Sequence, residues 1–251
     1  MGDSMKIIAS DYDGTLNHNG IDDAKRNAIS KWRKAGNLFG IVSGRGYNSL
    51  VDVIKNKRFE YDFLLCCNGA VVCNKEGDVL KDSRCDGSLA KPFIYDLFSW
   101  GCPFAAVEKD IPVRVRASQE EYDEVECKYT FDDMPEISYF NQISTMLETV
   151  EGASKIVDKI NDKYKEYLNP LQNGTCIDIV SYGMDKAKGI YALLDVLGAE
   201  YGDVIAVGDN INDAAMIKEF RSYAMENGVE SIKQSADYIT SGITELIERE
   251  M

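Results

Sequence analysis

Histidine is almost missing from this chain, with His18 alone among 251 residues. One imidazole is too little for a zinc cluster, and His18 reads as a loop residue. No stretch reaches the roughly 18 apolar residues of a membrane span. The first residues, Met1 to Lys6, lack the apolar centre of a signal peptide, and Lys6 stands where a myristoylation signal would want Ser or Thr. Met5 is a candidate natural start. The expectation is a cytoplasmic protein with no membrane partner. The seven cysteines include no CxxC pair and no metal-type spacing, so they are expected as reduced thiols, with Cys66 and Cys67 as small buried residues. Basic residues are also scarce, 28 against 42 acidic, for a net charge of −14. Such a surface repels a phosphate backbone, which argues against nucleic-acid binding and requires a local cluster of donors for any small anion.

What is present reads as an α/β chain with an interruption. Apolar runs at Ile7–Ala9, Leu38–Val42, Phe63–Cys67 and Val204–Val207 have the look of buried parallel strands. Between them stand helical patterns: Ile21 to Ala35, Leu50 to Ile54, and Ile190 to Leu197 closed by Gly198. Val71–Val72 and Val79–Leu80 suggest a hairpin. Residues 83–181 differ. The prolines concentrate there, with mixed-polarity strand candidates at Phe104–Val107, Val113–Val115 and Cys176–Val180. Helix candidates lie near Leu89–Trp100 and Ser154–Lys163. The expected architecture is a Rossmann-like, doubly wound parallel sheet built from residues 1–82 and 182–251, with an α+β domain of residues 83–181 inserted.

The candidate chemistry sits where apolar strands end, the place where open α/β sheets gather ligands. Asp11-Tyr12-Asp13-Gly14-Thr15-Leu16 follows the first strand. Two carboxylates that close need a neutraliser, and hard oxygen donors favour Mg²⁺. Ser43-Gly44-Arg45 follows the second strand and offers a hydroxyl and backbone N–H groups to a tetrahedral anion. Asp185-Lys186-Ala187-Lys188 opens a helix whose lysine could neutralise phosphate. Gly208-Asp209-Asn210-Ile211-Asn212-Asp213 follows the most apolar strand with two more carboxylates; Asn210 and Asn212 are also natural helix caps.

In this order the four segments resemble the haloacid dehalogenase superfamily of phosphohydrolases. The insertion and Asn68-Gly69-Ala70 resemble its Cof-type subfamily, with a large α/β cap. The resemblance implies a phosphatase acting on a small phosphorylated metabolite such as a sugar phosphate. Asp11 would be the nucleophile and Asp13 the general acid and base. The metal site would draw on Asp11, Asp13, Asp209 and Asp213. Ser43, Gly44 and Lys186 would hold the phosphate, with Lys188 as the alternative to Lys186. Arg45, Asn68, Asn210 and Asn212 are weaker candidates for touching substrate, and Arg45 reads equally well as one half of a surface ion pair. The carboxy-terminal Ser241-Gly242-Ile243 departs from the family's Asp-Gly-Val.

A phosphotransferase or mutase could use the same aspartyl-phosphate, but mutases of this superfamily usually carry a smaller cap between the first two motifs. A phospho-accepting receiver module would be about half this length. In the insertion, Tyr122, Tyr129, Phe131, Tyr139 and Phe140 are candidates for a substrate wall or for the domain's own core. Arg114 and Arg116, two apart on a strand, share a face and would meet an anion or balance neighbouring acids.

Overall fold

A computed structural model describes residues 5–117 and 127–251. Tyr122 and the residues before Met5 lie outside this range. The chain divides into two units, Met1–Lys81 with Asp185–Met251, and Asp82–Met184.

The first stretch runs through β1 (Ile7–Ser10), α1 (Asp23–Lys34), β2 (Leu38–Val42), α2 (Tyr47–Ile54), β3 (Phe63–Cys66), β4 (Val71–Asn74) and β5 (Val79–Asp82). Helix α1 starts at Asp23 rather than Ile21 because the Asp22 carboxylate accepts the Lys25 N–H and caps the first turn. Strand β3 stops at Cys66, since Cys67, Asn68 and Gly69 all turn to positive φ.

The insertion contributes β6 (Cys85–Asp86), α3 (Ala90–Ser99), β7 (Phe104–Glu108), β8 (Val113–Arg116), β9 (Tyr129–Thr130), β10 (Tyr139–Phe140), β11 (Gln142–Met146), α4 (Val150–Tyr164), β12 (Leu168–Asn173) and β13 (Cys176–Ser181). The chain returns through α5 (Lys186–Leu197), β14 (Val204–Gly208), α6 (Ala214–Glu219), β15 (Arg221–Met225), α7 (Glu230–Lys233), β16 (Tyr238–Thr240) and α8 (Ile243–Glu250).

The larger unit is one eight-stranded sheet in the order β16-β15-β14-β1-β2-β3-β4-β5. Strands β16 through β3 in that order are mutually parallel, and β4 returns antiparallel to β3. Alternate residues serve opposite faces. Ile7, Ala9, Val42 and Leu65 meet Ile190 and Leu193 of α5, while α1 lies against β2 and α8 on their own side. Register fixes where the strands end: Ser10 is level with Val207 on one side and Ile41 on the other. The segments beginning at Asp11, Ser43 and Asp209 therefore leave the sheet side by side, at strand spacings of about 4.8 Å.

The insertion has its own six-stranded sheet, β12-β13-β11-β7-β8-β9, antiparallel except where β9 joins β8. One face carries Ala105, Val107, Val115, Ile143, Ile177 and Ile179 against apolar residues of α3 and α4. Phe140 belongs to this core, and Tyr129 and Phe131 pack on it, whereas Tyr139 is half-exposed beneath the Arg84 guanidinium. Strand β12 is not visible as a strand in the sequence because Pro170 interrupts it. As an edge strand, β12 tolerates the missing N–H. Arg114 and Arg116 share a face of β8, and Arg114 pairs with Glu108 at 2.6 Å. Among the described residues no helix is long and apolar enough to cross a membrane.

Candidate active site

The loop leaving β1 begins at Asp11, whose N–H donates to the Val207 carbonyl at 2.9 Å, so the sheet hydrogen bonding continues one residue past the strand. Asp13 stays extended (φ −79, ψ 118) and Gly14 turns to φ 83. That glycine does more than turn: a Cβ built on it would sit 2.4 Å from Asp209 Oδ2. Its missing side chain is what lets the Asp209 carboxylate reach the first loop. There Thr15 Oγ1 donates to Asp209 Oδ1 at 2.6 Å. Ligand oxygens of Asp11, Asp209 and Asp213 all lie within 4.8 Å of one another.

Lys186 sits among these carboxylates and is fully buried, with Nζ 2.6 Å from Asp11 Oδ1 and 2.5 Å from Asp213 Oδ1. Asp185 starts the helix by accepting the Lys188 N–H at 2.8 Å, which places Lys186 at the first helical position. Lys188 is on the other side of the helix, its Nζ 5.6 Å from the Tyr191 ring centre. A helix residue two positions on is turned by about 200°, so only one of the two lysines can face the carboxylates. Contact between Gly69 and Gly189 holds α5 against the β3 turn, since a Cβ on Gly189 would lie 2.4 Å from the Gly69 Cα.

The charges are costly. Burial pushes the Asp11 carboxyl well above its usual range; Lys186 opposes this, while Asp213 and Asp209 reinforce it. Asp209 is raised for the same first reason, with the Thr15 hydrogen bond opposing it and Asp213 adding to it. For Lys186, burial works against the ammonium, but Asp11 and Asp213 together outweigh it and hold the group above its ordinary pKa. Three carboxylates and one ammonium leave an excess of negative charge in a small volume. An all-oxygen donor set of this kind fits a hard divalent cation such as Mg²⁺.

Asp213 is the anchor of the fourth segment. Its Oδ2 accepts the N–H groups of Asp209 and Asn210 at 2.9 and 3.0 Å while Oδ1 takes Lys186. Asn210 has a local role, accepting the Ile211 N–H at 2.8 Å, and Asn212 is half-exposed on the same turn. Ser43 is buried; its Oγ accepts the Arg45 N–H at 3.1 Å, and Gly44 lies between them. Asn68, buried with φ 52, donates its N–H to the Ser43 carbonyl at 2.9 Å. The Asp13 carboxylate does not join the carboxylate cluster; both its oxygens bond Arg45, at 2.7 and 2.9 Å.

Four contributors, Thr15, Asn227, Val229 and Lys25, are not evident from the sequence. Thr15 stands in the first motif, but no local pattern marks its bond to Asp209. Asn227 donates from Nδ2 to the Gly14 carbonyl at 3.0 Å, and Val229 N–H donates to the Asp209 carbonyl at 2.9 Å. The signal for these was the polar Glu226-Asn227-Gly228 turn after Met225, another strand end on the same side of the sheet. Lys25 donates to the carbonyls of Leu16, His18 and Gly20 and gathers the rest of the first loop; nothing in the sequence marks it.

A profile of the haloacid dehalogenase-like hydrolases matches residues 8–245. A curated relative, the 5-amino-6-(5-phospho-D-ribitylamino)uracil phosphatase YcsE of Bacillus subtilis, is 25% identical over 240 residues, which cover 94% of this chain and 90% of that protein. Among solved structures, a HAD/COF-like hydrolase of Plasmodium vivax superposes with a TM-score of 0.82 at 19% identity, covering 98% and 95% of the two chains. The subclass IIB sugar phosphatase BT4131 gives 0.79 at 19% identity, covering 98% and 99%. At these identities the structural likeness speaks for the fold.

Proposed function

The chain belongs to the haloacid dehalogenase-like hydrolases, and we propose that it is a Mg²⁺-dependent phosphatase cleaving a small phosphorylated metabolite of the sugar-phosphate class through an aspartyl-phosphate on Asp11. The observation carrying this reading is the buried Lys186 ammonium bonded to Asp11 and Asp213, with Asp209 in the same cluster. A charge cluster this dry costs stability, and a nucleophile beside an anion-binding cation repays it in chemistry.

Asp11 Oδ1 is tied to Lys186, which leaves Oδ2 to attack phosphorus. The bond from phosphorus to the ester oxygen breaks, and the phosphoryl group becomes an acyl phosphate on Asp11. Asp13 gives a proton to the departing alkoxide, then takes one from the water that attacks phosphorus, freeing Asp11 and inorganic phosphate. Ser43 already accepts the Arg45 N–H, so its own hydroxyl hydrogen remains to donate to a phosphoryl oxygen. The Gly44 N–H and Lys186 complete the set of donors on the transferring group. Asp11, Asp209 and the Asp13 carbonyl would hold Mg²⁺. Asp213, whose oxygens are committed to Lys186 and two N–H groups, orients the site around it. When bound, Mg²⁺ supplies screening of the repulsion between the Asp11 carboxylate and the incoming phosphate.

The names of the relatives support the substrate class, since one acts on a phosphorylated ribityl chain and another is a sugar phosphatase. The test is continued release of phosphate, in the presence of Mg²⁺, from a panel of sugar phosphates, nucleotides and cofactor phosphates. Multiple turnovers on a sugar or sugar-alcohol phosphate are expected. A single stoichiometric phosphorylation of the protein would instead indicate a phospho-accepting module, and inactivity on every ester would sink the reading.

A further inference from the structure

Arg45 and Asp13 are 32 residues apart in sequence, yet they meet as a two-pronged ion pair, Nε to Oδ2 at 2.7 Å and Nη2 to Oδ1 at 2.9 Å. Their side chains are 36% and 50% exposed. An ion pair this open contributes only about 0–1 kcal/mol to stability, so its geometry calls for another explanation. Arg45 is itself fixed from several directions. Its N–H donates to Ser43 Oγ at 3.1 Å, its carbonyl accepts the Cys67 N–H at 2.9 Å, and its Nη1 donates to Ser49 Oγ at 3.3 Å. Three of its five N–H donors are thus committed within the protein, and the edge formed by Nε and Nη2 is taken by Asp13. What remains is a rigid frame on the β2–α2 connection that grips one half-exposed carboxylate.

Resting on the phosphatase reading, we propose that Arg45 is the positioning residue of the acid–base carboxylate, holding Asp13 in one rotamer so that proton transfer to the leaving group needs no search. A carboxylate offers roughly four lone-pair sites. Arg45 uses one on each oxygen, and of the sites that remain one carries the proton given to the leaving alkoxide and regained from the attacking water. The planar guanidinium fixes both the direction and the tilt of the carboxylate; a lysine ammonium would fix neither. Without the fork, Asp13 would sample its rotamers in solvent, and the first chemical step would lose its proton donor for part of the time. The loss falls on esters whose alkoxide must be protonated as it leaves. An aryl phosphate such as p-nitrophenyl phosphate leaves as a stable anion and barely needs the proton.

The experiment compares kcat/KM, which reports the first phosphoryl transfer, for a sugar phosphate and for p-nitrophenyl phosphate. It uses wild type, Arg45→Met, Arg45→Lys and Asp13→Asn. Arg45→Met is expected to lose about 100-fold on the sugar phosphate, the lower part of the range for general acid catalysis, and far less on the aryl ester. Arg45→Lys should show the same selectivity despite its retained charge, and it keeps the test open if the Met variant folds poorly. Combining Arg45→Met with Asp13→Asn should add little to the Asp13→Asn loss. Equal losses on both esters, or a rise in KM with kcat unchanged, would make Arg45 a substrate contact and overturn the proposal. A wild-type protein inactive on both esters, or an Asp11→Asn variant as active as wild type, would instead overturn the phosphatase reading beneath it.

Discussion

Each unit of the molecule holds an aspartate bonded to a lysine, and the two pairs differ in their access to water. In the insertion, Lys163 Nζ meets Asp96 Oδ2 at 2.5 Å with the lysine side chain 56% exposed, and the Tyr164 hydroxyl shares that carboxylate oxygen. In the larger unit the Lys186 side chain is 0% exposed and its partners Asp11 and Asp213 are 8% and 0% exposed. This pair ties α4 to α3; its lysine can turn into solvent, while the buried Asp96 keeps the Tyr164 hydroxyl as a partner. The buried triad has no such refuge. A fold keeps charges dry at the ends of its strands when the charges are used, so the buried lysine carries the functional inference and the exposed one does not.

The sharpest way to break that contrast is Asp11→Asn. The amide keeps the volume, so the circular dichroism of the native protein should persist while turnover falls by at least about 10³-fold. Near-normal turnover would remove Asp11 from the nucleophile's place. Excess EDTA should likewise stop phosphate release, with Mg²⁺ restoring it; full activity under chelation would refute the cation. Next in size is the pair of lysines itself. Lys186→Met leaves two carboxylates buried without their cation and should destabilise the larger unit by about 3–5 kcal/mol in urea unfolding. Lys163→Met removes a lysine that is half in solvent and leaves Asp96 bonded to the Tyr164 hydroxyl, so it should stay within about 1 kcal/mol. Similar costs for both would erase the distinction drawn between the units.

What the sequence revealed of this site follows from where its information lies. Strand ends are local signals: Asp11, Ser43 and Asp209 each follow an apolar run, and register then brings them together without further instruction. The choice between Lys186 and Lys188 was also written locally, because Ile190 and Leu193 share the buried face with Lys186 and not with Lys188. The Arg45–Asp13 fork, the Asn227 contact and the three carbonyls under Lys25 depend on tertiary approach, which no pattern within a window reports. In the insertion, β11 reads Gln-Ile-Ser-Thr-Met and lies in mid-sheet, with Gln142 and Ser144 both reaching Asp178. Its alternation is sound, but its polar face leaves little apolar signal by which to read it as a strand.

A smaller effect tests the packing that places Lys186. Gly189→Ala should gain helix propensity of about 1 kcal/mol yet drive a methyl group into the Gly69 backbone, 2.4 Å away. Backbone contacts of this kind do not yield easily, so a net loss of about 1–3 kcal/mol is expected, together with reduced turnover as α5 shifts. Gly152→Ala, in α4 of the insertion, meets only the Thr149 hydroxyl at 3.0 Å and Leu147 at 3.7 Å. It should stay within about 1 kcal/mol of wild type and leave turnover unchanged. A harmless Gly189→Ala would show that the contact between α5 and the β3 turn does not position the lysine.

The smallest effect separates burial from reactivity in the insertion. Burial pushes the Cys85 thiol up to about 12 and the Cys102 thiol up to about 11, the latter against a Thr145 hydrogen bond and the Lys159 charge, which pull it down. A raised thiol pKa means that the fold holds the proton more tightly than the unfolded chain does. The stability each thiol contributes is therefore complete below the ordinary value of 9.0 and is lost as pH climbs from there through the folded value. In the native protein at pH 8, both should resist iodoacetamide, while the half-exposed Cys127 and Cys176 are alkylated before them. Mass spectrometry of the labelled peptides over pH 7 to about 10 would follow the order directly. Labelling of Cys85 at the rate of Cys127 while the fold is intact would mean that the insertion opens more readily than its core packing implies.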